Sequence, residues 1–282
     1  MRVQELDDER EFIAKAPKKS KKKIKKSLFW LKLILSFILC GMALILLAIS
    51  PLFNISEIEV YGNRHYEKEA IIGGIDVAIG NNGFKAIGSN PGNILTLRYG
   101  REEEIILKNY PYIKGVTVRF VIPSKVRIDI MERKPLCTVD YFGTNLIMDN
   151  EGFAVDIVKG EEQSALPQVK GITIKKFELG QELKADNMEN LRKAVAVIEA
   201  VEESDKNSGY KVLNLLKSID VKDAKKVYLS IDSRIIVNMG DLQDLNYRID
   251  VLKQIISRNI KKDDRGLLDF TLGENAVFIP EK

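Results

Sequence analysis

The stretch LILSFILCGMALILLAI, from Leu33 to Ile49, is a run of 17 residues without a charge. Extended back to Leu28, it takes in a single charge, Lys32, and would reach about 33 Å as a helix with a rise of ~1.5 Å per residue. That length spans a hydrocarbon core of roughly 30 Å. Pro51 follows the run and ends the helix. The run therefore predicts one membrane-spanning helix over residues 28–50.

Two other interpretations of the run are open. A cleaved signal peptide has a shorter apolar region, about 7–15 residues, and a small-residue cleavage site after it. A buried core helix would not need the block of lysines that precedes this run. The length of the run and that lysine block favour a signal anchor over both.

The charges around the run predict its orientation. Many lysines precede it, whereas the first charged residue after it is Glu57. The positive-inside rule then places the N-terminus in the cytoplasm and residues from about 50 onward outside. Residues 1–27 contain little apolar matter and are expected to be a disordered cytoplasmic tail. The lysines that we assign to membrane topology are Lys18, Lys19, Lys21, Lys22, Lys23, Lys25 and Lys26.

The composition argues against nucleic-acid binding and against most kinds of catalytic or metal site. Residues 1–32 hold eleven Lys and Arg against five Asp and Glu, while the other 250 residues hold 33 against 35, so the body of the protein lacks the cationic surface of a general nucleic-acid binder. Two cysteines and one histidine cannot build a disulfide framework or a four-cysteine zinc site. The glycines miss the spacings that cradle phosphates. We predict no catalytic, cofactor or metal site: Glu102–Glu104 suit the first turn of a helix, and His65 suits a surface turn.

Periodicity predicts two units outside the membrane. Residues 51–134 alternate strand and helix patterns in the order β-α-α-β-β, with a Gly- and Asn-rich loop at 78–98. After Pro135, residues 135–282 indicate a second mixed α/β domain with a mostly antiparallel sheet. Its last elements are two helices, over roughly 187–203 and after a cap at Asp241, and a final strand pair, Leu267–Leu272 and Ala276–Ile279.

Several motifs, in this order behind the anchor, resemble the FtsQ/DivIB family of bacterial cell-division proteins. Residues 55–63 (ISEIEVYGN) are similar to the start of that family's POTRA domain, and residues 111–119 (PYIKGVTVR) to the segment before its second strand. Residues 123–135 (PSKVRIDIMERKP) look like its boundary motif. Residues 146–153 (LIMDNEGF) resemble its Ile-Asp-x-x-Gly hairpin, and residues 266–270 (GLLDF) its final strand.

The resemblance implies a non-catalytic septal scaffold of the divisome. Such a protein would sit in the cell membrane as a single-pass type II protein, enriched at the division septum. It would recruit and regulate septal peptidoglycan synthesis through two bitopic partners, an FtsB/DivIC-like and an FtsL-like protein. A POTRA-bearing secretion or translocation component is the alternative.

The resemblance also implies where the partner binds. The family's binding strand maps here onto Leu267, Leu268, Asp269, Phe270, Thr271 and Leu272. We expect this strand to lie at the edge of its sheet, where unpaired backbone groups can accept a partner strand. On that expectation, a proline at Asp269 or Phe270 would prevent capture of the partner without disturbing the fold.

Overall fold

The structure, a computed structural model, describes residues 21–88, 90–158, 165–206, 208–223, 225–273 and 275–281. Its first element is helix α1 (Lys21–Ala48), in which Leu28–Ala48 is long and apolar enough to cross a membrane by length and composition. None of the most apolar part of this helix is buried inside the protein, as expected for a surface that faces lipid. Residues 21–27 were expected in a disordered tail but continue the helix, because lysine is a good helix former and extends a helix that is already nucleated.

Five of the seven lysines that we assign to membrane topology lie within the described residues. Lys21, Lys22, Lys23, Lys25 and Lys26 lie in the first turns of α1. Lys18 and Lys19 lie outside the described residues.

Residues 51–132 form a three-stranded sheet covered by helices. Strand β1 (Glu57–Tyr61) pairs in parallel with β3 (Lys125–Glu132), which pairs in antiparallel with β2 (Ile113–Val121), so the order is β1-β3-β2. Apolar side chains from the strands and helices share one core that includes Ile55, Ile71, Ile106, Val118 and Ile128. The elements are β1 (Glu57–Tyr61), α2 (Lys68–Gly73), α3 (Pro91–Thr96), α4 (Gly100–Asn109), β2 (Ile113–Val121) and β3 (Lys125–Glu132).

The loop predicted at 78–98 is more ordered than its composition indicates. The amide nitrogen of Ile55 donates to the Asn81 carbonyl and that of Gly80 donates to the Ile55 carbonyl, both at 2.8 Å. Helix α3 occupies the second half of the loop, begun by Asn90, whose side chain accepts from the Gly92 amide at 2.9 Å. Proline at the first helical position and asparagine before it are sufficient to start this short helix.

Residues 135–281 contain a nine-stranded sheet. Five of the neighbouring pairs are antiparallel and three are parallel, so the sheet is mixed and mostly antiparallel. Two helices supply a large share of its apolar core, with Leu191, Ile198, Ile249 and Leu252 buried. The strands are β4 (Pro135–Tyr141), β5 (Thr144–Asp149), β6 (Ala154–Val158), β7 (Gln168–Lys170), β10 (Leu216–Asp223), β11 (Lys226–Ile231), β12 (Ile235–Gly240), β13 (Gly266–Asp269) and β14 (Val277–Pro280), and the helices are α5 (Met188–Lys206) and α6 (Leu245–Arg258). Across the sheet the strands have the order β14-β13-β12-β11-β10-β7-β4-β5-β6.

One local expectation in this unit was wrong. Asp241 does not cap α6; the helix begins after Asp244, and the Asp241 carbonyl accepts a hydrogen bond from Arg248 at 2.9 Å. Further along, the chain turns at Gly171, whose φ is +84°. Only β7 joins the large sheet, while β8 (Ile174–Lys176) pairs with β9 (Lys184–Ala185) in a separate ribbon.

A buried ion pair joins the two units. Arg133 follows β3, and its guanidinium donates to the Asp149 carboxylate at 2.7 Å, with both side chains almost fully buried. The same guanidinium lies 3.7 Å from the centre of the Phe153 ring. The boundary motif thus orients the second sheet against the end of the first.

Candidate partner-binding edge of the large sheet

Strand β13, which carries the predicted binding residues, is not an edge strand. It pairs in parallel with β12 and in antiparallel with β14. The expectation that Leu267–Leu272 presents a free edge is therefore wrong: the chain returns after a turn and lays β14 along its outer side. Leu267 and Leu268 lie within the strand, whereas Phe270, Thr271 and Leu272 follow its end.

The backbone groups of β13 are used internally. The amides of Gly266 and Phe270 donate to the carbonyls of Arg234 and Asn238, respectively. The backbone N–H and C=O groups of the even-numbered residues therefore point toward β12. The odd-numbered residues Leu267 and Asp269 then face β14, since successive backbone groups of a strand point to opposite sides. A proline at Phe270 would remove a bond of the fold rather than one offered to a partner, which corrects the expectation above.

Asp269 holds the end of β13 to β12. Its carboxylate accepts from the Asn238 side-chain amide at 2.9 Å and from the Thr271 amide and hydroxyl at 2.7 and 2.6 Å. Burial opposes ionisation, but the hydrogen bonds from Thr271 and Asn238 outweigh it and keep the pKa of Asp269 below its ordinary value. Asp269 and Thr271 therefore have structural partners within the sheet.

Strand β14 is the outermost strand of the sheet within the described residues. The Glu281 amide donates to the Arg265 carbonyl at 2.9 Å. With the register of β13 and β14, this bond shows which residues of β14 point their backbone groups toward β13 and which point them away. Val277 and Ile279 accordingly bond inward, and the backbone N–H and C=O of Phe278 point outward together with the Pro280 carbonyl. Pro280 occupies an outward position, where its missing N–H costs the sheet nothing.

The side chains of the last strands separate into a core face and an open face. Phe278 packs against the core of the large sheet. On the other face, Ile236, Leu267 and Ile279 lie side by side across three strands, and Ile236 and Ile279 are each 44% exposed. An added strand at this edge would meet an apolar row beside an unpaired backbone.

The opposite end of the sheet is partly covered. Strand β6 is the other outer strand, but the Ala154 amide donates to the Gln181 carbonyl at 3.0 Å and the Gly180 amide donates back to Ala154 at 2.7 Å. The Tyr112 hydroxyl reaches the Asp156 carboxylate from the first unit at 3.1 Å. Of the two edges, β14 is the more open to a partner strand.

The groups considered for chemistry have structural contacts. Glu103 accepts from the Arg98 guanidinium and from the buried Val118 amide, and Glu102 accepts from the Asp76 amide. The His65 ring stacks on the Tyr112 ring at 3.6 Å. Burial raises the pKa of the Cys137 thiol to about 12, which leaves it protonated and inert. Within the described ranges, no group of three or more His, Cys, Asp or Glu side chains is arranged to hold a metal ion.

Comparison with known proteins agrees with this architecture. Residues 53–133 match the family described as POTRA domain, FtsQ-type. The chain is 27% identical to the cell division protein DivIB of Clostridium botulinum (strain Hall) over 271 residues, which cover 94% of each protein. The chain is thus similar to the FtsQ/DivIB family.

Two further relatives are similar to most of the chain. The cell division protein DivIB of Clostridium acetobutylicum is 24% identical over 228 residues, 81% of this chain and 83% of the relative. That of Clostridium tetani is 26% identical over 236 residues, 81% of this chain and 80% of the relative. These similarities support a role in cell division. The matched residues 53–133 coincide with the three-stranded unit that follows the apolar helix α1.

Proposed function

We propose that the chain is a non-catalytic scaffold of the divisome, which recruits and regulates septal peptidoglycan synthesis through FtsB/DivIC-like and FtsL-like bitopic partners. Its domains lie outside the cytoplasmic membrane behind the anchor α1, and the protein is enriched at the division septum. The open edge at β14, together with the family assignment, is the observation that carries this proposal.

The partner adds a strand along β14. The outward N–H and C=O of Phe278 and the Pro280 carbonyl would bond to it, and each such bond contributes ~0.5–1.5 kcal/mol. Val277 and Ile279 flank these groups with exposed apolar side chains. A partner strand with apolar residues on one face would extend the row formed by Ile236, Leu267 and Ile279 and contact Ile279, which gives the interaction its side-chain selectivity.

Two substitutions at one position test the edge. Phe278→Pro removes the outward N–H and the aromatic ring, whereas Phe278→Ala removes only the ring. We expect the full-length Phe278→Pro protein to lose co-purification with the bitopic partner and Phe278→Ala to retain most of it. Both variants should keep their fold, judged by circular dichroism and thermal melting, because the Phe278 amide has no partner in the ladder. Equal capture of the partner by the folded Phe278→Pro protein would place the binding site elsewhere.

Localisation tests the wider role. A fluorescent fusion of the full chain should concentrate at the septum of dividing cells, and depletion should block division. A uniform distribution along the membrane with normal division would contradict the scaffold function, whatever the outcome of the edge experiment.

A further inference from the structure

Exposed aliphatic side chains gather at the end of the first unit that adjoins helix α1. Leu52, Ile79, Ile94, Leu95, Val121 and Ile122 come from four separate segments, and we name them the basal surface. Ile79 is 67% exposed and Leu95 is 86% exposed, values that are costly for large aliphatic groups in water.

Hydrogen bonds fix this end of the unit to the membrane helix. The Asn82 side-chain amide donates to the Ala48 carbonyl at 2.9 Å and lies 3.4 Å from the Ser50 carbonyl. Asn82 thereby satisfies one of the carbonyls that a helix leaves unpaired at its C-terminus. The amides of Gly80 and Gly83 also donate to the carbonyls of Ile55 and Phe53. The loop that carries Ile79 therefore lies beside the segment that directly follows the end of α1.

The other members of the basal surface lie at the same level. The Ser56 amide donates to the Ser124 carbonyl at 2.7 Å, so the turn with Val121 and Ile122 lies beside the chain just after the helix. The Phe120 amide donates to the Leu97 carbonyl at 2.8 Å, which places the end of α3 next to the last residues of β2. Strands β1 and β3 run parallel and away from this end.

The length of α1 sets the depth of these groups. The 21 residues of Leu28–Ala48 would span about 31 Å at ~1.5 Å per residue, which matches the hydrocarbon core. Ala48 therefore lies at the edge of the hydrocarbon, and the segments bonded to residues 48–56 lie in the headgroup layer above it.

The charge of these segments suits an anionic lipid surface. Residues 51–56, 77–98 and 119–125 contain no Asp or Glu. Their cations Arg98, Arg119 and Lys125 pair with carboxylates of neighbouring segments. Within the described residues Lys85 forms no ion pair, so its charge is available to a lipid phosphate. Apolar side chains with flanking cations are the composition that inserts into headgroups of anionic lipid.

We propose that the basal surface is a membrane-binding surface, which inserts its aliphatic side chains into the outer headgroup layer and seats the first unit on the bilayer. The occupant is the lipid bilayer itself. The first unit consequently keeps a fixed height and tilt relative to the bilayer, with the side chains of Ile79, Ile94 and Leu95 in contact with lipid. It does not reorient freely about the segment that follows α1.

Tryptophan fluorescence in the full-length protein tests the insertion. The chain has one tryptophan, Trp30, which lies in the membrane helix and is replaced by Trp30→Phe to give a silent background. Leu95→Trp and, separately, Ile79→Trp then report on the basal surface. Phe142→Trp, at a residue 88% exposed in the second unit, is the matched control. Each protein is placed in nanodiscs of phosphatidylethanolamine and phosphatidylglycerol, with or without lipid brominated near the top of its acyl chains.

We expect the emission of Leu95→Trp and Ile79→Trp to be blue-shifted and to lose most of its intensity in brominated lipid. The emission of Phe142→Trp should be that of a hydrated tryptophan and remain unquenched. Adding Lys85→Glu to the Leu95→Trp protein should reduce the quenching in anionic nanodiscs. If both basal tryptophans emit like Phe142→Trp while circular dichroism shows a folded protein, the surface does not bind lipid. A shift that arises only when a division partner is added would assign it to that partner instead and would overturn the proposal.

Discussion

At the scale of single residues, one carboxylate shows why the predicted binding strand has an internal role. Asp269 is 6% exposed and accepts hydrogen bonds from Asn238 and Thr271, which tie the end of β13 to β12 and to the turn that follows. Hydrogen bonds to a charged acceptor are stronger than neutral ones. Its charge should therefore contribute to stability.

We predict that Asp269→Asn lowers the free energy of unfolding by roughly 1–3 kcal/mol at neutral pH, because the amide cannot accept from all of these donors. The folded-state pKa of Asp269 lies below its ordinary value of 3.8, so its contribution is full above that pH and is lost as the pH falls through the folded-state pKa. The gap between the melting temperatures of parent and variant should narrow accordingly in acid. A gap that widens as the pH falls would show that the carboxyl is not held in its charged form.

At the scale of elements, the last hairpin decides which backbone groups a partner can reach. Phe270 and Phe278 are both half-buried phenylalanines that pack on the core of the large sheet. The Phe270 amide donates to the Asn238 carbonyl, whereas the Phe278 amide faces away from β13. The two positions thus differ chiefly in the direction of one N–H.

We predict that Phe270→Pro destabilises the protein by roughly 1–3 kcal/mol more than Phe278→Pro does, because only the former breaks a bond of the sheet. Thermal melting of the two full-length variants in detergent gives the comparison. Similar melting temperatures would mean that the amide of residue 270 is dispensable, and that β13 is less firmly paired than its register indicates.

At the scale of the whole molecule, the two units are joined by side chains as well as by the chain. Arg133 and Asp149 form a buried ion pair, while the adjacent Lys134 pairs with Glu202 at the surface. Breaking a buried pair strands a charge away from water, whereas an exposed pair contributes little.

Arg133→Ala should therefore cost roughly 3–5 kcal/mol in the free energy of unfolding, and Lys134→Ala at most about 1 kcal/mol. We also expect limited proteolysis to cut Arg133→Ala more readily near residues 133–135, since the units lose their fixed orientation. Equal protease sensitivity of the two variants would indicate that other contacts hold the junction.

Orientation in the membrane is a property of the whole chain that the lysine block is expected to set. Phe142 is exposed in the second unit, so Phe142→Cys can be labelled with a membrane-impermeant maleimide in intact cells. We predict labelling from outside in the parent protein. A smaller labelled fraction should result when the lysines are replaced by Gln, because the positive-inside bias is reduced. Labelling of the parent only after the membrane is opened would reverse the proposed topology. The residues replaced are Lys18, Lys19, Lys21, Lys22, Lys23, Lys25 and Lys26.

The sequence by itself determined the elements whose signals are local. The uncharged run from Leu33 to Ile49 predicted the membrane helix, and periodicity predicted the β-α-α-β-β order of residues 51–134, because burial on one face dictates the pattern along the chain. The sequence did not determine the order of the strands in the large sheet. Two strands joined by a turn, such as β13 and β14, have the same local pattern whichever lies outermost, so the tertiary structure alone showed that β14 holds the open edge. In the same way, Asn82 and Ile79 belong to a loop without periodicity, and only long-range hydrogen bonds to Ile55 and Ala48 place this loop beside the end of α1.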